Sequence, residues 1–386
     1  MKKDKLLRWG LAAAAVALVV VLVGLVVYLG VSYHAADRQL CQLQADLAGS
    51  GGAGAALPPR PVAALLREKT FDEARREADG VIAAAFAAGH FDGAGPAAGG
   101  ARVAGACRLA LGGGKRLRPV IVAEIARALS ARRHAETGAA PADPAEAALA
   151  AECFHAASLV IDDLPTFDND ATRRGSPAVW AATSPQVALM SSVALFGVGI
   201  ESICRQFSEV QRAARADERR PLLQRIKPLA RFPVHFFAAV GEALGPRGAP
   251  AGQLLDVTAG CGPAEVQDLT RRKTAPFYEI AFVGGWLAGG GDPSRAGALR
   301  AAGAAFGEAF QVADDLGDLA QDRARRATGK GVSNFADALG EEAAVRAVAS
   351  NLGQARSVLE KEGIFTPLWE EIYSKVIALA AGWQHS

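Results

Sequence analysis

Acidic residues follow directly after long apolar, Ala-rich runs at two places about 150 positions apart, in SLVIDDLPTFDNDATRRGSP (158–177) and FQVADDLGD (310–318). An acidic turn is ordinarily solvated, since Asp, Asn and Pro all favour turn geometry. Here the first turn is entered through Ala156, Ala157, Leu159, Val160 and Ile161, the pattern of a buried helical face. Carboxylates at the mouth of a core helix repel one another unless cations neutralise them. Hard divalent cations, Mg²⁺ above all, suit such oxygen ligands. In the second stretch Asp314 and Asp318 fall one turn apart on one helical face, with Asp315 three residues before Asp318. Asp162 and Asp168 are six apart, which a regular helix turns to different sides. Pro165 ends regular helix between them, and a bulge there swings Asp168 back towards Asp162.

Two such clusters form one site if their helices face each other across a bundle. Mg²⁺ prefers one or two carboxylates plus phosphate oxygens to an all-protein cage, so the expected remaining ligand is a diphosphate. The basic residues agree with that. GGGKRLRP (112–119) offers Lys115, Arg116 and Arg118 beside a glycine run, Arg173 and Arg174 follow the first cluster, and RRKTAPFYE carries Lys273 and Thr274. Arginine forks bind phosphate in bidentate fashion, and lysine acts as a point charge.

GGGKRLRP, ECFHAASLVIDDLPTFDNDATRRGSP, KTAPF and FQVADDLGD, in that order, closely resemble the motifs of the all-trans polyprenyl diphosphate synthase family, its short-chain geranylgeranyl and farnesyl diphosphate synthase branch most of all. The resemblance covers about residues 61–345. It implies an all-α helical bundle around a deep central cavity, usually as a homodimer. Composition agrees independently, with 6% aromatic residues, few alternating β-branched runs and 51% apolar content, enough for a large core.

The resemblance also implies roles. Asp162, Asp163 and Asp168, with Asp314, Asp315 and Asp318, are expected to hold three Mg²⁺ on an allylic diphosphate, which Arg173, Lys273, Thr274 and Gln311 would contact. Lys115, Arg118, His155 and Arg174 are expected to hold isopentenyl diphosphate. His155 precedes Asp162 by seven residues, two helical turns, and shares its face. The implied reaction ionises the allylic C–O bond, with negative charge on the leaving diphosphate stabilised by Mg²⁺ and the cations. Apolar walls exclude water, isopentenyl diphosphate attacks, and a proton leaves. No redox cofactor is needed. Ala157 and Ser158, about one turn before Asp162, are expected to set product length. In the family bulky aromatics there stop chains at farnesyl length, so these small residues point to twenty carbons.

The chain also departs from the family pattern. Trp180 stands where relatives commonly carry histidine, LMSSVALF (189–196) lacks a Gly-Asp dipeptide, and the loop after Asp318 is short. Lys330 therefore aligns only loosely with the family's diphosphate-binding lysine. Two other readings stay open. A class I terpene cyclase would not need GGGKRLRP and His155 for a second diphosphate, and a non-catalytic partner subunit would not need intact aspartates.

The amino end is of another kind. Trp9 to Val31 is an uncharged apolar run, long enough at ~1.5 Å per residue to cross a ~30 Å hydrocarbon core. The expected organisation is a membrane anchor at 1–33, a Gly/Pro-rich linker at 34–60 and a synthase domain at 61–386. Lys2, Lys3, Lys5 and Arg8 before the span, against Arg38 after it, place the amino end in the cytoplasm and the enzyme outside by the positive-inside rule. Isoprenoid diphosphates are nonetheless expected in the cytoplasm or an organelle interior, and the catalytic domain is expected on that side. Five scattered cysteines form no disulfide framework and favour a reducing compartment. A net charge of +2 excludes the broad polycationic surface that nucleic-acid binding requires.

Overall fold

The computed structural model describes residues 60–92, 98–216, 222–257, 262–327 and 333–380, which lie in the unit Gly54–Ser386. The expected anchor at 1–33 and all but the last residue of the linker fall outside the described residues. Ala, Leu, Glu and Arg dominate the described segments and are strong helix formers. The chain runs through α1 (Val62–Leu66), α2 (Phe71–Ala87), α3 (Ala98–Ala110), α4 (Leu117–Thr137) and α5 (Ala145–Asp162). A two-stranded ribbon follows, then α6 (Val179–Ala182), α7 (Pro185–Ala216), α8 (Leu222–Leu244), α9 (Ala249–Val257), α10 (Pro263–Lys273) and α11 (Ala275–Ala288). After a short 3₁₀ turn come α12 (Ala296–Ala327), α13 (Phe335–Leu339), α14 (Glu341–Lys361) and α15 (Pro367–Ala380). The all-α expectation holds among the described residues, the ribbon of β1 (Thr172–Arg173) and β2 (Ser176–Pro177) apart.

Helix α11 is the spine, with every residue buried except Glu279. It packs against α4, α5, α8 and α12. Such crowding needs glycine at the crossings. A Cβ at Gly285 would come within 2.7 Å of the Val122 carbonyl on α4, and one at Gly307 within 2.6 Å of the Ala275 Cα. Phe282, Phe306, Trp369 and Tyr373 interlock at ring separations of 5.5 to 6.1 Å and seat α15 on this core.

Helix α5 has a second core on its other side, where Ile82, Phe91, Cys107, Leu149, Cys153, Ala157 and Leu195 join α2, α3 and α7. Between the two cores only a strip with His155, Ser158, Leu159 and Ile161 remains half-buried. Residues Pro185–Ala213 of α7 form the one helix among the described residues long and apolar enough to cross a membrane. It packs along α5 as a bundle helix.

Candidate active site

The first acidic cluster is shaped by how α5 ends. Past Asp162 the chain folds back, the Asp168 amide donates to the Asp162 carbonyl at 2.9 Å, and the Asn169 amide, in a left-handed conformation, donates to the Leu164 carbonyl at 3.1 Å. This is the return that the Pro165 break implied. Asp162 is buried, and its carboxyl is pushed up to about 7, chiefly by burial, with Lys273 pulling it down and Asp168 and Asp163 pushing it up. Burial likewise raises Asp168. Neither carboxylate accepts a hydrogen bond among the described residues. Asp163 differs: the Arg173 guanidinium grips it in bidentate fashion, Nε at 2.9 and 3.1 Å from its two oxygens and Nη2 also bonded.

That grip depends on the ribbon. Arg173 pairs with Ser176, and Arg174 and Gly175 turn the chain with φ of 54° and 73°, a mirror-image turn that suits two-residue hairpins. Arg173 and Arg174 therefore point apart. Arg174 reaches the carbonyls of Gly112 and Gly113 at 3.2 and 3.0 Å and lies against Gly114, whose φ of 103° and lack of a Cβ allow the approach. Arg116 anchors the same loop, donating to Asp79 and Glu152 at 2.7 Å each.

Lys273 ends α10 facing the first cluster. Burial works against its charge, but Asp162, Asp256 and Asp168 outweigh that and hold its pKa well above the usual value. Its Nζ lies 2.5 Å from Asp256 Oδ2. The next residue links the two clusters: the Thr274 hydroxyl donates to Gln311 Oε1 at 2.5 Å, and Gln311 Nε2 donates to Asp315 Oδ1 at 2.8 Å. Asp315 Oδ2 accepts the Phe335 amide at 2.8 Å. Asn334 bridges the Asp315 carbonyl and Asp322 Oδ2 at 2.7 and 3.0 Å and caps α13. Burial pushes Asp315 up to about 7 against these donors. Asp314 is half-buried and Asp318 exposed.

The basic side lies along the same strip of α5. His155 is held well below the ordinary histidine value by burial and by Arg118, Arg174, Arg173 and Arg116. Burial and the surrounding arginines thus both disfavour the imidazolium. Arg118 is buried over Tyr278, its guanidinium carbon 4.3 Å from the ring centroid. Lys115 faces Phe310 at 5.7 Å and lines a cavity of about 450 Å³ of mixed charge, with Arg75, Arg76 and Lys375 beside Asp72 and Asp79.

The expected residues are thus placed unequally. Asp162, Asp168 and Lys273 are brought together, as are His155, Arg118, Arg173 and Arg174. Asp163 and Arg173, expected on metal and diphosphate, bind each other, as do Thr274 and Gln311. Ser158 lies on the strip, its hydroxyl donating to the His155 carbonyl at 2.8 Å. Ala157 is 0% exposed on the α7 side, where Ser192 donates to its carbonyl at 2.9 Å. Lys330 lies outside the described residues. Among those residues no three His, Cys, Asp or Glu side chains converge enough to hold a metal ion unaided. Sequence reasoning missed Asp256, Glu152, Asp322 and Asn334. For Asn334 a signal was present, because SNFAD has the Asn and third-position acid of a helix start. Trp180, the departure from pattern, donates to the Asp170 carbonyl at 2.8 Å and steadies the fold-back.

Residues 102–339 match the family model described as polyprenyl synthetase. A trans-prenyltransferase of African swine fever virus (isolate Pig/Kenya/KEN-50/1950) is 38% identical over 276 residues, 72% of this chain and 76% of the viral protein. A farnesyl diphosphate synthase of Geobacillus stearothermophilus is 31% identical over 58% of this chain and 68% of its own length. The crystal structure of an FPP/GFPP synthase from Zymomonas mobilis covers 80% of this chain and 98% of its own, with a TM-score of 0.59 and 26% identity.

Proposed function

This chain belongs to the polyprenyl synthetase family and is a prenyltransferase, and we propose that it condenses isopentenyl diphosphate with an allylic diphosphate to a short all-trans prenyl diphosphate, with twenty carbons as the product. The observation that carries this is the polarity of one helix face. Asp162 and Asp168 stand with Lys273 at the end of α5, while His155, two turns earlier, stands among arginines. One pole suits a metal-bound diphosphate and the other a metal-free one.

The donor set fits Mg²⁺. Asp162 is buried with no hydrogen bond to its carboxylate, an unfavourable place for charge unless a cation joins it. Asp162, Asp168, Asp314 and Asp318 would be the holders, with water and diphosphate completing the shell. Bound there, Mg²⁺ would stabilise the negative charge that builds on the leaving diphosphate. Lys273 adds a fixed positive charge to the same end. Arg118 and Arg174 hold the second diphosphate, while neutral His155 can donate a hydrogen bond without further charge. The Phe277 ring, 6.1 Å from His155, belongs to the apolar wall that keeps water from the allylic cation.

Ser158 stands on the half-buried strip where a bulky aromatic would block the tail, and its small side chain supports a path deeper than a farnesyl stop allows, while Ala157 is packed against α7. Two copies would pair as a homodimer. The anchor segment 1–33, with its apolar run from Trp9 to Val31, would tether the catalytic unit to a membrane on the side where its substrates are found. Incubating the full chain in detergent with Mg²⁺, isopentenyl diphosphate and five-, ten- or fifteen-carbon allylic primers tests the reading. Elongation to twenty carbons is expected. A protein that extends none of the primers overturns it.

A further inference from the structure

The Tyr278 ring has no part in the reaction proposed above, yet it sits under its basic pole. Arg118 is 7% exposed, its Nε has no hydrogen-bond partner, and it forms no ion pair among the described residues. Its neighbours are treated differently: Arg116 is paired with Asp79 and Glu152, and Arg173 with Asp163. A buried guanidinium ordinarily takes a carboxylate, which would cancel the charge it could offer to an anion. Arg118 lies instead over aromatic rings, 4.3 Å from the Tyr278 centroid and 5.9 Å from that of Phe277. A ring face attracts a cation through its quadrupole and leaves the net charge in place. Tyr278 is itself immobilised, 0% exposed and braced by Phe306 at 5.1 Å and Phe310 at 5.4 Å. Its hydroxyl has no partner, so the side chain is not kept in place by a hydrogen bond.

We propose that Tyr278 is a positioning residue for the second substrate: its ring seats Arg118 so that the guanidinium meets the diphosphate of isopentenyl diphosphate with its charge uncancelled. This rests on the reaction proposed above. Because Phe310 opens the FQVADD stretch, the seat is braced by the same helix that carries the second acidic cluster.

The test compares Tyr278→Leu, which removes the ring, with Tyr278→Phe, which keeps it, in the full chain. Steady-state kinetics give KM for each substrate and kcat, and calorimetric titration with inorganic diphosphate in EDTA reads the basic pole without turnover. Tyr278→Leu is expected to raise KM for isopentenyl diphosphate and Kd for diphosphate roughly tenfold, with kcat and the allylic KM changed less than about threefold, the scale of a desolvated cation–π contact. Tyr278→Phe should stay within about twofold of the parent, because the ring is the seat. Tyr278→Met replaces the Leu variant if melting curves show that Leu does not fold. In an Arg118→Gln background the Leu change should add little.

An unchanged KM for isopentenyl diphosphate in the Leu variant would overturn the proposal. So would a Phe variant as impaired as Leu, a parallel loss in both substrates and kcat, or a full Leu effect without Arg118. If the parent protein condensed nothing, the proposed function would fall, and the diphosphate titration would still decide the role of Tyr278.

Discussion

The two acidic clusters share a sequence pattern and are held in different ways. In the first, the chain breaks out of α5 and folds back, so Asp162 and Asp168 approach each other while Arg173 takes Asp163. In the second, α12 runs on without a break, and Gln311 and the Phe335 amide take Asp315. In each pair of adjacent aspartates the second is bound by the protein. The physical reason is helical geometry: neighbours lie about 100° apart, so when one faces the substrate strip the other faces a packed element and needs a partner there. Adjacent aspartates are therefore not equivalent, and Asp163 and Asp315 are the ones tied to the scaffold by Arg173 and by Gln311 with the Phe335 amide.

The most severe way to break this comparison is Asp162→Ala or Asp314→Ala. Each should lower kcat by at least ~10²-fold, since each removes a charge-stabilising ligand. Melting of the metal-free Asp162→Ala protein should hardly change, because the Asp162 carboxylate has no hydrogen bond to lose. Near-normal turnover in a folded Asp162→Ala protein would sink the division of roles.

Asp315→Ala should act on stability first. It strands the Phe335 amide and frees Gln311, a cost of about 1–3 kcal/mol for the buried donor alone, read as a lowered midpoint in urea. If Asp315→Ala melts like the parent while activity vanishes, Asp315 is a ligand after all.

The same contrast applies to the two sides of α5. Ala157→Tyr forces a ring into a fully packed site and should destabilise by about 1–3 kcal/mol as well as shorten the product. Ser158→Phe, on the half-buried strip, should shorten the product with a smaller loss of stability. Chromatography of the reaction products and circular dichroism melts check both, and unchanged product length in both would remove the twenty-carbon assignment.

The smallest effect is expected at Trp180→Phe. It loses one hydrogen bond to the Asp170 carbonyl, worth about 1 kcal/mol, and should change kcat by less than about threefold. A large drop would mean that the fold-back is held chiefly from this side.

Much of this was readable in the chain. Helical class follows from the Ala-rich runs and scarce β-branched alternation. The helical setting of both acidic clusters follows from their apolar flanks, and the return of Asp168 follows from Pro165. Lys273 and Thr274 were readable as candidate site residues, but not their division, in which Lys273 faces the first cluster and Thr274 reaches through Gln311 to the second. Ala157 and Ser158 looked equivalent in sequence and lie on different sides of α5.

What the sequence by itself determined is local: which segments are helical, where they stop, and which stretches carry acid or base, all set by propensity and by spacing along a few turns. Only the tertiary structure decided which charges are cancelled. Arg116 and Arg118 are two residues apart in one basic run, yet one is paired with Asp79 and Glu152 while the other rests on Tyr278. The deciding partners come from α2, α5 and α11, up to 160 residues away along the chain. Coulomb and cation–π energies depend on distance through space, which spacing along a chain does not encode.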